Sequence, residues 1–190
     1  CRDRTISGGR SHLSKHQNVE RAEQVMQQYL DDLKNIVNID SGTFTKAGVD
    51  RVGAYLQDRF QAFGFSTRFD RHEKYGDHLI ATHVGKAAHG PRILLIGHID
   101  TVFPEGEAQR RPFTIKESEG ADQSALGTIN QPLRDGKRIA TGPGILDMKS
   151  GVLIGMYGLH LLIEAQEANY QSVTFICNSD EEIGSPSSTP

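Results

Sequence analysis

Hydrophobic positions along the chain follow helical spacing in three long stretches. Apolar residues recur every three or four positions over Val19–Val37, which predicts a helix that ends near the turn Asp40-Ser41-Gly42. A second helix is predicted over Val49–Phe63, with Gly64 as its C-terminal cap. The third stretch, Met148–Glu167, is apolar almost all round and contains internal glycines that weaken a helix, so we expect it to pack closely against a sheet.

Short apolar runs between these helices predict strands. They are Phe65–Arg71, His78–Val84, Ile93–Ile96, Phe113–Lys116, Arg138–Thr141 and Val173–Cys177. The run Ile93–Ile96 lacks polar alternation, which is typical of a central strand covered by helices on both faces. Helices that alternate with buried strands predict an α/β fold with a largely parallel or mixed sheet.

Composition and charge narrow the class of protein. The chain has 190 residues, with 21 Lys and Arg against 24 Asp and Glu, a net charge of −3. This balance argues against nucleic acid or an anionic membrane as the main partner, because both need a clustered basic excess. No apolar run approaches the roughly 18 residues of a membrane span. We expect a soluble domain, cytoplasmic or periplasmic, preceded by a flexible tail over residues 1–18.

The two cysteines, Cys1 and Cys177, are too few for a disulfide framework. Cys177 ends a predicted strand near the candidate chemistry. A packed core thiol is the first interpretation for it, and a reactive thiol is the alternative.

Metal-competent side chains lie next to three of the buried segments. Gly97–Thr101 follows the strand Ile93–Ile96, Asn178–Glu182 follows Val173–Cys177, and Gly144–Lys149 precedes the glycine-containing helix. Ligands of open α/β sheets bind beyond the carboxyl ends of the strands, so we expect the first two segments to converge there and the third to reach the same edge. One His and several carboxylates suit Zn²⁺ or a similar divalent ion.

Taken singly, each of these residues also has an ordinary structural interpretation. His98 and Asp100 lie on one side of an extended chain, where the carboxylate can accept the second imidazole N–H, or they simply cap a strand and start a turn. Glu181 and Glu182 point in opposite directions if extended, which favours one ligand beside one general base, or they form a solvated acidic turn. Asp147 is either a ligand or an N-terminal helix residue. The three segments together favour the metal site.

The same segments resemble the three signature blocks of a family of di-zinc metallopeptidases. Its members include aminoacylases, succinyl-diaminopimelate desuccinylases and glutamate carboxypeptidases. The blocks read GHIDTV at 97–102, GPGILDMK at 142–149 and DEEIGS at 180–185, in the order typical of the family. The segment FPEG at 103–106, together with DSG at 40–42 and AGVD at 47–50, is most similar to the glutamate carboxypeptidase-like branch.

The resemblance implies a role for each site residue. His98 would ligate one zinc ion, with Asp100 as the carboxylate that orients it. Asp147 would bridge two metal ions, and a cis peptide bond would follow it. Glu181 would be the general base and Glu182 a ligand of the second ion. The complete site would hold two Zn²⁺ ions, with Co²⁺ or Mn²⁺ as alternatives.

The resemblance also implies a three-layer α/β/α catalytic domain with a central mixed, largely parallel sheet. Residues 19–190 would be its N-terminal part, with a polar surface insertion at about 117–135. A further carboxylate ligand, a final His and a dimerisation domain are expected downstream in the family and are absent from these residues. The sheet would therefore be truncated at its C-terminal end. The resemblance leaves open whether the full-length protein is a homodimer.

The function implied is hydrolysis of a peptide or amide bond by zinc-activated water, with release of a C-terminal glutamate or a related N-acyl amino acid. The substrate would be a small peptide or an N-acyl amino acid. The alternative is a catalytically incomplete or degenerate domain that acts at most as a binding module. We expect the 190 residues alone to be inactive, because a di-zinc site needs more ligands than they supply.

Overall fold

The structure, a computed structural model, describes residues 15–117 and 138–188, without the side chains of residues 15–18 and 117. Most of the predicted tail and all but the first residue of the predicted insertion lie outside these ranges.

Four α-helices are present in the described ranges. They are α1 (Lys15–Val37), α2 (Lys46–Ala62), α3 (Glu107–Arg110) and α4 (Ser150–Glu164). The three long helices confirm the three predicted from periodicity. Helix α1 begins at Lys15, inside the stretch expected to be a tail, and the short helix α3 was not predicted. A turn over Ile145–Lys149 precedes α4.

Six strands in the described part of the chain match the predicted runs closely. They are β1 (Ser66–Asp70), β2 (His78–Val84), β3 (Arg92–His98), β4 (Thr114–Glu117), β5 (Arg138–Thr141) and β6 (Ser172–Asn178). Strands β4 and β5 form a separate antiparallel ribbon, and the other four form the main sheet in the order β1-β2-β6-β3.

The main sheet is mixed, as predicted, but antiparallel pairs outnumber the parallel one in the described part of the chain. Strand β3 runs parallel to β6, whereas β2 pairs antiparallel with both β6 and β1. The expectation of a largely parallel sheet therefore does not hold for these strands. The reason is that the short connection between β1 and β2 reverses the chain, as in a hairpin, instead of crossing over the sheet.

The core lies between the long helices and one face of this sheet. Phe175 of β6 contacts both helices that cover the sheet, since its ring centroid is 5.5 Å from that of Phe60 in α2. A Cβ added to Gly155 of α4 would lie 2.7 Å from the same ring. Close packing on the sheet thus explains Gly155 as predicted, whereas a Cβ at Gly158 would meet open space.

The other face of the sheet carries apolar side chains that no described helix covers. Leu94 and Ile96 of β3 are 56% and 64% exposed. Strand β3 is also an edge strand, so the prediction of a central strand covered on both faces is wrong for the described residues. An apolar run shows that burial is favoured but does not say which part of a chain provides the cover. The described residues therefore supply two of the three expected layers.

The segment Ile145–Glu164 is long and apolar enough to cross a membrane by length and composition alone. Its first part, however, is the turn before α4, where Asp147 and Met148 have non-helical backbone angles. Val152 and Met156 in the helix proper are fully buried in the core. We therefore assign the segment to the domain core.

Cys177 is fully buried in β6, and burial raises the pKa of its thiol to about 12. A thiol with so little thiolate at neutral pH is unreactive, so the interpretation as a packed core residue is confirmed.

Candidate metal centre

The parallel pairing of β3 and β6 brings two of the candidate segments together. In the register of the two strands, His98 lies opposite Asn178. The pairing continues past the strand ends, since the Ile99 N–H donates to the Asn178 carbonyl at 2.8 Å. His98 at the end of β3 and the turn that carries the acidic pair after β6 therefore lie at the same edge of the sheet, as predicted.

Two glycines allow the third segment to reach this edge. A Cβ on Gly97 would lie 3.0 Å from Val152 and 3.3 Å from Met148, so a larger residue would push the start of α4 away from β3. Gly144 has a φ of 70°, a left-handed conformation that glycine adopts without steric cost. The turn between Gly144 and α4 then places Asp147 Oδ1 2.9 Å from His98 Nε2, and the Asp147–Met148 peptide bond is cis, as expected.

His98, Asp147 and Glu182 form one candidate metal-binding group. One ligand atom from each lies within 4.8 Å of the others. An imidazole nitrogen with two carboxylate oxygens is a donor set that zinc accepts, with bonds of about 2.0–2.2 Å. Burial raises the pKa of Glu182 above its usual value, against the opposing effect of His98, so the carboxylate lacks a sufficient counter-charge. The residues present thus fit a divalent cation.

The buried carboxylate of Asp100 connects the elements of this centre. Its Oδ2 accepts a hydrogen bond from the Thr43 hydroxyl at 2.7 Å. The backbone N–H groups of Glu181 and Glu182 donate to its two oxygens at 3.2 Å each. Burial alone would raise the pKa of Asp100, but hydrogen bonds from His98, Thr43 and the Glu182 N–H lower it below its usual value. Asp100 is therefore ionised and holds three segments of the chain in place.

The imidazole of His98 lies between two carboxylates. Its Nδ1 is 3.3 Å from Asp100 Oδ1, and its Nε2 faces Asp147. Burial lowers the pKa of His98, but the hydrogen bonds to Asp100 and Asp147 outweigh burial and raise the pKa to about 9. Without a metal ion the ring therefore carries both protons at neutral pH. Once a metal ion displaces the Nε2 proton, a carboxylate at Nδ1 favours the tautomer that keeps its proton there and presents the Nε2 lone pair to the metal.

The backbone of Glu181 and Glu182 is not extended, contrary to the prediction. Glu181–Ile183 form a 3-10 turn, so the argument from an extended chain, in which the two side chains point apart, is wrong. Glu181 Oε2 lies 3.8 Å from His98 Nε2, while Glu182 belongs to the metal-binding group. Both carboxylates therefore reach the same space, and the tight turn rather than alternation puts them there.

Two residues near the centre had no role assigned from sequence. Thr43 binds Asp100, and its loop is joined to the site because the Thr101 N–H donates to the Ser41 carbonyl at 2.9 Å. Lys149 is almost fully buried, and its ammonium group donates to the carbonyls of Ile36 and Ile39 at 2.8 and 3.0 Å.

Lys149 anchors the Asp147 turn to the end of α1. Burial lowers the pKa of Lys149 to about 7, although Asp40 acts to raise it. In sequence, Thr43 follows a DSG turn and Lys149 directly follows Asp147-Met148. These positions do not reveal which residues the two side chains bind, because the binding partners are 57 and at least 110 residues away in sequence.

Comparison with known families and proteins identifies the relatives of this chain. Residues 94–190 match the family described as "Peptidase family M20/M25/M40". Carboxypeptidase G2 of Pseudomonas sp. (strain RS-16) is 28% identical over 155 residues, which cover 80% of this chain and 32% of that protein.

Solved structures resemble the fold. A tripeptidase from Staphylococcus aureus has a TM-score of 0.58 at 22% identity, covering 83% of this chain and 37% of its own. The M20 family metallo-carboxypeptidase Sso-CP2 from Sulfolobus solfataricus has a TM-score of 0.60 at 19% identity, covering 84% and 32%. The chain thus spans about a third of the length of these relatives. The α/β fold with a mixed sheet is confirmed as that of the catalytic domains in these structures.

Proposed function

Because this chain belongs to peptidase family M20/M25/M40, we propose that it forms the first part of a metal-dependent hydrolase that cleaves peptide or amide bonds with activated water. The observation that carries this proposal is the placement of His98, Asp147 and Glu182 within 4.8 Å of one another, with Glu181 beside them. The activity is assigned to the complete protein, since this chain spans only about a third of its relatives.

Three side chains would hold the metal in this proposal. His98 would ligate one zinc ion, Glu182 the second, and Asp147 would bridge the two, with Co²⁺ or Mn²⁺ as alternative metals. When bound, the ions would polarise the substrate carbonyl and lower the pKa of an attacking water. The exposure of Asp147 supports this role, because a largely exposed carboxylate is open to a substrate and to further ligands.

Glu181 and Asp100 have the other two roles in this proposal, proton transfer and positioning. Glu181 accepts a proton from the attacking water and returns it to the leaving amine, as a general base and then acid. The backbone carbonyl of Asp100, 3.2 Å from His98 Nδ1, and its carboxylate, 3.3 Å away, would hold the Nδ1 proton and so keep Nε2 directed at the metal position. Through the two backbone N–H groups Asp100 also fixes the turn that carries Glu181.

For the substrate we propose a small peptide or N-acyl amino acid from which a C-terminal glutamate, or a related residue, is released. Similarity to Carboxypeptidase G2 supports a carboxypeptidase. The FPEG segment at 103–106 supports the glutamate-releasing branch, and in sequence it begins three residues after Asp100.

The acidic pair provides the test, in the complete protein loaded with zinc. Glu181→Gln removes the base but keeps its size, so we expect turnover of an acyl-glutamate to fall by about 10²–10⁴ with zinc content unchanged. Glu182→Gln is the matched variant and should lose zinc as well as activity.

Opposite behaviour of the two variants in elemental analysis would reverse the assigned roles. Full zinc content in His98→Ala would refute the ligand set. A wild-type protein that binds acyl-glutamates without hydrolysing them would instead favour the binding-module alternative.

A further inference from the structure

A chain of hydrogen bonds joins strand β2 to the acidic turn, Glu181–Ile183. It consists of His78 at the start of β2, Ser187 and the carboxylate of Asp180, and both His78 and Asp180 are buried. We propose that His78 and Ser187 are positioning residues, which hold the acidic pair in its reactive position through Asp180. The inference rests on the proposed function and deepens it, because it assigns residues outside the metal-binding group to the placement of the base and a ligand.

The contacts of this chain lead from the strand to the residue that precedes the acidic pair. His78 Nε2 is 2.9 Å from the hydroxyl oxygen of Ser187, and that hydroxyl donates to Asp180 Oδ2 at 2.5 Å. The Ser187 backbone N–H donates to the same oxygen at 2.8 Å. The other oxygen, Asp180 Oδ1, is buried and has no hydrogen-bond partner among the described residues. The position of this carboxylate therefore depends on Ser187.

The neighbours of His78 determine which of its two nitrogens carries the proton. The Ser179 backbone N–H, which can only donate, faces Nδ1 at 3.2 Å, so Nδ1 is the acceptor. The Ser179 hydroxyl is also close to Nδ1, but it donates its own proton to the Gly76 carbonyl at 2.6 Å. Burial lowers the pKa of His78, against the opposing effect of Asp180, so the ring is neutral at neutral pH. Its single proton therefore lies on Nε2 and is donated to Ser187.

Ser, His and Asp are also the residue types of a serine hydrolase, but their arrangement here is different. In a catalytic triad the Asp binds one imidazole nitrogen, and the other nitrogen accepts the proton of the serine. In this structure Asp180 binds Ser187 directly, and His78 Nε2 already carries a proton. The imidazole cannot act as the base for Ser187, so the chain of hydrogen bonds holds groups in place and does not activate the serine.

The acidic turn is thus held from two sides. Asp100 binds the backbone N–H groups at its start, as described above. Asp180 fixes the chain that returns from it, because its carbonyl accepts the Ser185 N–H at 2.9 Å and its carboxylate binds Ser187. Reacting groups must be held within about 0.5 Å of their productive geometry. Loss of the second support should therefore displace the acidic pair enough to slow the reaction.

The test measures kcat and KM of the complete protein on an acyl-glutamate, at saturating zinc and with zinc content checked by elemental analysis. Ser187→Ala breaks the chain of hydrogen bonds in its middle. We expect kcat to fall about fivefold and KM to stay within about twofold, because the base moves while the bound substrate keeps its contacts. Ser188→Ala is the matched control and should keep the wild-type kcat, since the exposed Ser188 donates to the Ser185 carbonyl and not to Asp180.

Two replacements of His78 separate its hydrogen-bond donor from its bulk. A glutamine places its amide N–H near the position of Nε2, whereas an asparagine reaches only the position of Nδ1. His78→Gln should therefore keep kcat within about twofold of wild type, and His78→Asn should lose as much as Ser187→Ala. His83→Gln is the matched control with wild-type kcat expected, because His83 lies in the same strand but is hydrogen-bonded to Tyr170.

The double variant His78→Asn/Ser187→Ala shows whether the two residues act through one chain. If they do, its kcat equals that of Ser187→Ala, whereas independent losses multiply. A wild-type kcat in Ser187→Ala, or multiplied losses in the double variant, would overturn the positioning role and leave the proposed function intact. A wild-type protein that neither binds zinc nor hydrolyses the substrate would refute the proposed function, and the positioning role with it.

Discussion

Two buried carboxylates, Asp32 and Asp100, have the same exposure and very different neighbours. Both are fully buried and both accept several hydrogen bonds. Asp32 in α1 is bound by the hydroxyls of Tyr55 and Tyr157, at 2.7 and 2.8 Å, and by the guanidinium group of Arg59. Its donors are side chains of α2 and α4, so Asp32 clamps three helices together.

Asp100 is surrounded by parts of the candidate site instead. Its donors are Thr43, His98 and the backbone of the acidic turn. A buried and fully bonded carboxylate is therefore not by itself a sign of function. The elements that its donors belong to decide whether it supports the fold or the chemistry, and the variants below separate the two roles.

The largest effect is expected for Asp32→Ala, measured as the free energy of unfolding of the complete protein in urea. Removal of the carboxylate leaves Tyr157 and Arg59 without their buried acceptor, which should cost about 3 kcal/mol. The zinc affinity of the folded protein should stay within about twofold of wild type.

Asp31→Ala is the matched control, because Asp31 is the exposed neighbour in the same helix. It should change the unfolding free energy by less than about 0.5 kcal/mol. Weaker zinc binding in Asp32→Ala would contradict the separation of the two carboxylates.

The next effect in size is expected for Asp100→Ala, measured as zinc affinity in competition with a chelator. Loss of the carboxylate frees the His98 ring and the acidic turn, and outer-shell losses of this kind lower metal affinity about 10–100-fold. If this variant loses stability like Asp32→Ala and keeps its zinc affinity, Asp100 is a second structural clamp and the comparison fails.

The smallest effect is expected for Thr43→Val, which removes one of the hydrogen bonds to Asp100 at nearly constant shape. Zinc affinity should fall about threefold, since the other donors to Asp100 remain. Thr43→Ser keeps the hydroxyl and should bind zinc as wild type does. Equal affinities for all three proteins would show that Thr43 does not act through Asp100.

The pattern of apolar residues predicted the main elements well because they are locally determined. Strands β2 and β5 have the bounds that the sequence predicted, His78–Val84 and Arg138–Thr141. Helix α3 was not predicted because the residue that stabilises its N-terminus is distant in sequence. The carboxylate of Asp40 accepts the N–H groups of Gly106 and Ala108, which lie more than 60 residues further along the chain.

The candidate site was partly predictable for a related reason. Strand ends and signature blocks identify His98, Asp147 and Glu182, because each is adjacent to an element with its own sequence signal. Asp32 gave no comparable signal, since it follows Asp31 in a polar stretch of α1 and its partners lie on other helices. Roles that arise only from tertiary contacts need the structure.

The close approach of β3 and α4 at Gly97 has a consequence for mutational tolerance. A methyl group at position 97 would meet Val152 and Met148, so the neighbouring chain would have to yield by a few tenths of an ångström. Met148 follows Asp147 directly and Val152 lies in the first turn of α4, so a larger residue at position 97 would press on the segment that carries a proposed metal ligand. In a random-mutagenesis screen for activity, substitutions of Gly97 should therefore be tolerated as poorly as substitutions of the proposed metal ligands, although Gly97 itself contributes no donor atom.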